Sequence, residues 1–132
     1  MPNPVPLISI VDNDLSVCRA LRRLVQSAGY RVTAFTSARD FLDSSPLGRT
    51  ACLVLDIHLN GMSGLELSER LTADRAAIPI VFITAHDDAP TRERVRQAGV
   101  AAYLPKPFDG QALLDAIARA VDGRPRSTRL PG

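Results

Sequence analysis

The sequence lacks the features that mark membrane-spanning, secreted and disulfide-rich proteins. None of its apolar runs approaches the about 20 residues that a membrane helix needs. The N-terminal segment Met1–Pro6 has neither a basic region nor an apolar core, so a secretory signal is not expected. The chain of 132 residues has only two cysteines, Cys18 and Cys52, far apart in the sequence. This usage favours two packed thiols in a cytoplasmic protein over a disulfide scaffold.

An excess of charge of one sign is also missing from the body of the chain. The formal net charge is +2, and the tail from residue 122 onward, with three arginines and one aspartate, carries all of it. Residues 1–121 are therefore neutral overall, which argues against a dedicated nucleic-acid surface. Because the tail has few apolar side chains to bury, residues 122–132 are expected to be disordered or to be a linker stub.

Lysine is nearly absent, since Lys106 is the only one in the chain. It lies between Pro105 and Pro107, just after a short apolar segment. Two explanations stay open at this point. Arginine-favouring codon usage would leave one stray lysine, whereas a functional site would need its compact, flexible charge in place of the planar fork of arginine.

Apolar segments of strand length alternate with segments of helical periodicity throughout the chain. Five strands are predicted, over Leu7–Val11, Arg31–Phe35, Ala51–Ile57, Ile78–Thr84 and Ala101–Leu104. A helix is expected after each strand, with the first ending at Gly29, the fourth ending at Gly99 and the last containing Leu113–Val121. This alternation predicts an α/β fold with a doubly wound, five-stranded parallel sheet and helices on both faces.

The flavodoxin-like strand order 2-1-3-4-5 is the commonest for this element count, and it predicts one domain over residues 7–121 behind an N-terminal extension of residues 1–6. Polar residues then fall at the carboxyl ends of the inner strands. Asp12 follows the first strand, Asp56 and Thr84 end the third and fourth, and Lys106 follows the fifth. Ligands of such sheets bind at this edge, so we expect these side chains to form a site.

Oxygen-rich side chains near one another favour magnesium as the ligand. Asp12, Asn13, Asp14 and Asp56 supply hard oxygens, and no His/Cys cluster accompanies them. A helix-capping role competes with metal binding for Asp14 and is the preferred interpretation there. A metal flanked by a hydroxyl and an ammonium suits phosphoryl chemistry, in which a carboxylate can act as acceptor.

Other catalytic signatures are missing. No GxxxxGK[ST] motif is present, and no GxGxxG follows the first predicted strand, so a nucleotide is not the expected ligand. No nucleophile elbow and no Ser-His-Asp order appear either.

Five segments together closely resemble the receiver domain of bacterial two-component response regulators, and within that family the FixJ-like group. The resemblance covers about Leu7 to Val121, and its specificity comes from the order and spacing of the motifs. The segments are Ile10–Asp14, Cys52–Asp56, Gly61–Leu67, Phe82–His86 and Tyr103–Phe108.

The resemblance implies that Asp56 is the phosphoacceptor, taking its phosphoryl group from a histidine kinase or a phosphotransfer protein. It also implies a Mg²⁺ (or Mn²⁺) site made by Asp12, Asn13, Asp56 and the backbone carbonyl of His58. Asn13 stands where the family normally has a second aspartate. An amide brings no charge, so weaker metal binding is expected unless Asp14 compensates.

For the remaining positions, the resemblance implies that Lys106 pairs with Asp56 and then with the phosphoryl group, and that the bond to Pro107 is cis. Thr84 would move to bond the phosphoryl group, and Tyr103 would rotate inward as the second part of the switch. Asn60-Gly61 replaces a proline-containing turn of the family, either as a neutral change or as a more mobile loop.

His58 and His86 each lie two residues beyond a site residue, where receivers tune the lifetime of the acyl phosphate. Because imidazole ordinarily titrates near neutrality, dephosphorylation would then depend on pH between about 6 and 8. Two solvated loop histidines without a role are the equally open alternative.

Three functions follow, of which a phosphorylatable signalling receiver that is not counted as an enzyme is the leading one. The second is a receiver-like adaptor that binds partners without phosphorylation, and Asn13 is the only residue that supports it. An aspartyl-phosphate phosphatase is disfavoured, because His58 stands where such enzymes have an aspartate. No helix-turn-helix pattern follows the last helix, so the output is expected through a protein partner, phosphorylation-dependent homodimerisation or a domain that this chain lacks.

Overall fold

The computed structural model describes residues 5–44, 49–74, 77–98 and 102–122, in which five strands alternate with five helices. The strands are β1 (Leu7–Val11), β2 (Arg31–Phe35), β3 (Thr50–Asp56), β4 (Ile80–Thr84) and β5 (Ala102–Pro105). The helices are α1 (Leu15–Ser27), α2 (Ala38–Ser44), α3 (Gly64–Ala73), α4 (Ala89–Ala98) and α5 (Gly110–Asp122). None of the helices in these ranges has the length and apolar composition that a membrane span requires.

The strands form one parallel sheet in the order β2-β1-β3-β4-β5, as predicted. The central strand β3 pairs with β1 and β4, and all seven of its residues are buried. A strand covered on both faces needs a nearly continuous apolar sequence, which explains why β3 is apolar from Ala51 to Leu55 and polar only at its ends.

Each face of the sheet carries its own apolar core. On one face, β3 residues such as Leu53 pack with Phe41 of α2, Leu67 of α3 and Val95 of α4. On the other, Val54 packs in a cluster to which α1 and α5 contribute. Burying a side chain of this size contributes about 1.5–3 kcal/mol. The two cores fix the helices and thereby the loops at the carboxyl edge of the sheet.

Local signals in the sequence set the ends of several elements. Asp14 caps α1, because its Oδ1 accepts hydrogen bonds from the backbone N–H groups of Ser16 and Val17. This confirms the interpretation of Asp14 as the cap of this helix. Gly29 and Gly61 adopt positive φ values of 97° and 78°, the conformation that the turns after α1 and β3 require.

Four strand boundaries differ slightly from the prediction. β3 begins and ends one residue earlier, at Thr50 and at Asp56, so Ile57 lies outside the strand. The hydroxyl of Thr50 is buried against that of Ser9 at 2.8 Å. β4 begins after Pro79, whose carbonyl accepts a hydrogen bond but which has no N–H to donate. β5 continues to Pro105, which pairs with Thr84.

Several predictions concern residues outside the described ranges. They are the helix stop at Gly99, the strand start at Ala101, most of the N-terminal extension (residues 1–4) and the tail from residue 123 onward.

Candidate functional site

The four polar strand-end residues meet at the carboxyl edge of the sheet. The Nζ atom of Lys106 lies 2.8 Å from Oδ2 of Asp12 and 3.6 Å from Oδ2 of Asp56. Thr84 ends the neighbouring strand β4, and its side chain is buried at the same level. The lysine therefore bridges two carboxylates, with Asp12 as the nearer partner. The expected pairing with Asp56 is present, but the closer contact with Asp12 was not predicted.

Each of the three acceptor side chains is held in place by the backbone two residues further along the chain. Oδ1 of Asp12 accepts from the N–H of Asp14 at 2.9 Å, and Oδ1 of Asp56 accepts from the N–H of His58 at 3.0 Å. Oγ1 of Thr84 accepts from the N–H of His86 at 2.9 Å. These local turns orient the three side chains. The other carboxylate oxygen of Asp12 and of Asp56 faces Lys106.

Burial makes the electrostatics of this cluster unusual. Asp12 is fully buried, and the side chain of Asp56 is only 7% exposed. Desolvation and the charge of Asp12 raise the pKa of Asp56, although the hydrogen bond from His58 and the charge of Lys106 oppose the rise. Burial alone would lower the pKa of Lys106, but its contacts with the two carboxylates outweigh burial and raise it. The site thus holds one ammonium against two carboxylates.

A hard divalent cation suits this surplus of negative oxygen. Within the described ranges, no three acidic, histidine or cysteine side chains gather as a metal site. The two carboxylates would therefore need oxygens from other groups, and the resemblance implies Asn13 and the carbonyl of His58 for this role. Asn13 is exposed beside buried Asp12. Mg²⁺ fits such a set, since it commonly takes one or two carboxylates and keeps several waters.

Tyr103 points away from the cluster in this structure. Its ring packs against the core that α3 and α4 cover, and its hydroxyl donates a hydrogen bond to Oδ1 of Asp87 at 2.8 Å. Arg92 of α4 binds the same carboxylate oxygen at 2.9 Å. Burial, then the hydrogen bond to Asp87, raises the pKa of Tyr103 to about 12, so its hydroxyl stays a donor. Nothing in the spacing of the sequence indicated Asp87 as the partner.

Two further features became visible only in three dimensions. The exposed rings of His58 and His86 make an edge-to-face contact, with centroids 4.5 Å apart. Gly64 lies against the backbone beside the phosphoacceptor candidate, and its N–H donates to the carbonyl of Ile57 at 2.9 Å. The Lys106–Pro107 peptide bond is cis, which confirms the expectation from the sequence.

Replacing Gly64 with alanine is expected to lower the free energy of unfolding by about 1–3 kcal/mol. The new Cβ would overlap the backbone carbonyl oxygen of Asp56 and come within 2.9 Å of Cα of Ile57. Urea unfolding measures the loss. The matched control is Gly110→Ala, where the methyl group meets only the flexible side chain of Leu24 at 3.2 Å. Equal stabilities for the two variants would contradict the close approach.

Comparison with known proteins identifies relatives over nearly the whole chain. A family model described as the response regulator receiver domain matches residues 8–118. Nodulation protein W of Bradyrhizobium diazoefficiens is 42% identical over 116 residues, which is 88% of this chain and 51% of that protein. Transcriptional regulatory protein FixJ of Azorhizobium caulinodans is 40% identical over 125 residues, or 94% of this chain and 58% of that protein. The chain thus spans about half the length of these curated relatives.

Solved structures agree with the sequence comparisons. Response regulator StyR superposes with a TM-score of 0.83 at 49% identity, covering 90% of this chain and 60% of that one. A response regulator receiver protein from Burkholderia phymatum gives a TM-score of 0.78 at 40% identity, covering 89% and 95% of the two chains.

Proposed function

Because the chain belongs to the response regulator receiver domain family, we propose that it is switched by phosphorylation of Asp56. The donor would be the phosphohistidine of a sensor histidine kinase or a phosphotransfer protein. The observation that carries the proposal is the buried Asp56 carboxylate at the carboxyl edge of the sheet, whose Oδ2 atom lies 3.6 Å from Nζ of Lys106. Since a relative such as FixJ is a transcriptional regulatory protein, we propose a signalling role for this chain and not that of an enzyme in the usual sense.

In this proposal, a carboxylate oxygen of Asp56 attacks the phosphorus atom, and the phosphorus–nitrogen bond of the phosphohistidine breaks. Lys106 neutralises charge on the transferred phosphoryl oxygens, and the hydroxyl of Thr84 donates to one of them. When bound, Mg²⁺ (or Mn²⁺) supplies further neutralisation at this site. Asp12, Asn13, Asp56 and the carbonyl of His58 would hold it.

Switching then requires two contacts of this structure to change. The Thr84 hydroxyl, which here accepts a hydrogen bond from the backbone N–H of His86, would turn toward the phosphoryl group. The hydroxyl of Tyr103 would leave Asp87, and its ring would move inward. Phosphorylation would thereby bias a two-state equilibrium of the surface formed by α4, β5 and α5.

The output would pass through a downstream protein partner, a homodimer formed on phosphorylation, or an output domain, in the cytoplasm. We do not assign membrane or nucleic-acid binding to this chain. The alternative function is a receiver-like adaptor with a weakened metal site, which signals by protein binding alone. Asn13 is its single support, because the acceptor, the hydroxyl and the ammonium are all present.

Incubation with Mg²⁺ and a small acyl or amido phosphate, followed by intact mass spectrometry, tests the proposal. We expect an increase of about 80 Da, the mass of one phosphoryl group, that is absent in Asp56→Asn. Failure to incorporate phosphate would favour the adaptor. Continuous release of phosphate over many turnovers would indicate a phosphatase instead.

Replacing Asn13 with aspartate is expected to tighten Mg²⁺ binding at least about tenfold, or about 1.4 kcal/mol. The carboxylate adds a full negative charge beside Asp12, where the amide supplies only a dipole. Metal titration of the two proteins measures the difference. Asp14→Asn is the control, because Asp14 already caps α1 and its replacement should leave the metal affinity nearly unchanged. Equal affinities for the wild type and Asn13→Asp would contradict a metal role for this position.

His58 and His86 are expected to set the lifetime of the acyl phosphate. They lie on the loops after β3 and β4, two residues beyond Asp56 and Thr84, and replacing either with alanine should change the dephosphorylation rate several-fold. The rate of loss of the 80 Da adduct, about the mass of a phosphoryl group, provides the measurement. A lifetime that neither substitution changes would leave the two histidines as solvated loop residues.

A further inference from the structure

The two histidines of this chain lie side by side on neighbouring loops. No other histidine is present in the 132 residues. Both imidazole rings are exposed, and their centroids are 4.5 Å apart with an angle of 80° between the ring planes. Neither ring has a role in the core, so the pair is open to a ligand from solvent.

The backbone holds both histidines at fixed positions. The N–H of His58 is bound by the buried Asp56, and the N–H of His86 is bound by the buried Thr84. Strands β3 and β4 are adjacent and parallel, with Asp56 opposite Ile83, so the two histidines leave the sheet at the same level. The pair is therefore organised by two buried strand ends, and little backbone ordering would accompany ligand binding.

The ring separation is short enough for one nitrogen of each ring to reach a single metal ion. A metal ion bound to an imidazole nitrogen at about 2.0 Å lies about 3.2 Å from the ring centroid. The exposed rings, with centroids 4.5 Å apart in the edge-to-face arrangement, would turn about their side-chain torsions so that one nitrogen of each ring meets the ion. Imidazole suits Cu²⁺ and Ni²⁺ as a ligand, and the Irving–Williams order ranks these two ions above Mn²⁺, Fe²⁺ and Co²⁺ in affinity.

We propose that His58 and His86 form a bidentate site for a divalent transition metal of the Ni²⁺ or Cu²⁺ type, separate from the carboxylate site at Asp56. Within the described ranges, no third acidic, histidine or cysteine side chain completes a cluster with them. Water would therefore occupy the other positions on the ion. Because imidazole nitrogen is a poor ligand for Mg²⁺, the two sites would take different metals.

A bound ion would join the loop after β3 to the loop after β4. The loop after β3 follows Asp56 and the loop after β4 follows Thr84, so the ion would lie on the solvent side of these two site residues. Since the ion binds the folded arrangement and the two histidines are far apart in an unfolded chain, it would also raise the unfolding temperature.

Calorimetric titration of the full chain with Ni²⁺, in the presence of excess Mg²⁺, tests the site. We expect one Ni²⁺ per chain, with affinity reduced at least about tenfold in His58→Ala and in His86→Ala, because each variant loses the second, intramolecular ligand. Asn60→Ala is the matched control, since this exposed residue shares the loop of His58 but has no imidazole. Ni²⁺ should raise the unfolding temperature of the wild type and of Asn60→Ala, and of neither histidine variant.

The variant Asp56→Asn separates the two metal sites. It should retain full Ni²⁺ binding if the histidines are the ligands. Three results would overturn the proposal: no Ni²⁺ binding by the wild type, unchanged affinity in the histidine variants, or binding that disappears in Asp56→Asn or under excess Mg²⁺. The last result would place the ion on the carboxylates.

Discussion

Replacing Lys106 with methionine is expected to lower the free energy of unfolding by about 3 kcal/mol near neutral pH in the absence of divalent metal. The ammonium is 2.8 Å from the fully buried carboxylate of Asp12 and 3.6 Å from that of Asp56. Methionine keeps most of the side-chain volume but leaves two buried carboxylates facing each other. Removing one partner of a buried pair costs more than the pair itself contributes, because the remaining charge is uncompensated.

Chemical denaturation of four proteins isolates this effect. In a double-mutant cycle, adding Asp12→Asn to Lys106→Met should recover much of the lost stability, since the second change removes one of the two uncompensated charges and ends the repulsion between them. Arg96→Met is the matched control for losing a cation, because its pair with Glu93 is largely exposed and should contribute less than about 1 kcal/mol. If the double variant is as unstable as Lys106→Met, the lysine acts through packing and not through its charge.

The conservative variant Lys106→Arg addresses the single lysine directly. Arginine keeps the positive charge, but its planar fork is larger and cannot place a compact charge between the two carboxylates. We expect the variant to fold and to lose most phosphorylation-dependent switching. Normal switching in this variant would show that the lone lysine reflects only arginine-favouring codon usage.

The sequence was sufficient to predict the sheet, because the relevant physics is local and periodic. Five apolar segments separated by helical patterns leave few topologies, and β3 shows its two-sided burial directly in its composition. The positions of Asp12, Asp56, Thr84 and Lys106 at one edge followed from the parallel arrangement alone. Their convergence required no knowledge of side-chain conformations.

The contacts inside the site could not be predicted in the same way. Which carboxylate lies nearer Lys106 depends on differences of less than an ångström between two strand ends, and periodicity does not contain that information. The contact between His58 and His86 depends on the register of β3 against β4. The bond from Tyr103 to Asp87 depends on a side-chain conformation that differs between the two states proposed for the switch.

Replacing Asp56 with asparagine is expected to raise the free energy of unfolding by about 1–3 kcal/mol near neutral pH without divalent metal. Lys106 is closer to Asp12, so Asp56 is the carboxylate that the single ammonium compensates less well. The amide is nearly isosteric, and its oxygen can still accept the hydrogen bond from the N–H of His58. The substitution therefore removes a buried negative charge while preserving the local turn.

The pH dependence of this gain has a definite sign. Burial raises the pKa of Asp56 in the folded state above its unfolded value, so the folded protein binds the proton more tightly. As the pH rises from about 4 through the folded pKa, the wild type loses stability from this group, and the loss is complete above the folded pKa. The advantage of Asp56→Asn should therefore grow with pH, while groups that titrate alike in both proteins cancel in the difference.

Magnesium should reverse the order of the two stabilities. A cation that binds the folded wild type stabilises it by about 2.7 kcal/mol at a concentration 100-fold above the dissociation constant. Asp56→Asn lacks one of the proposed charged ligands and should gain much less. Unfolding curves measured with chelator and with saturating Mg²⁺ test both parts. The contrary result is a variant that is less stable than the wild type under chelator across the pH range. Lys106 would then fully compensate both carboxylates, and the site would have no surplus negative charge to bind a metal or support phosphoryl transfer.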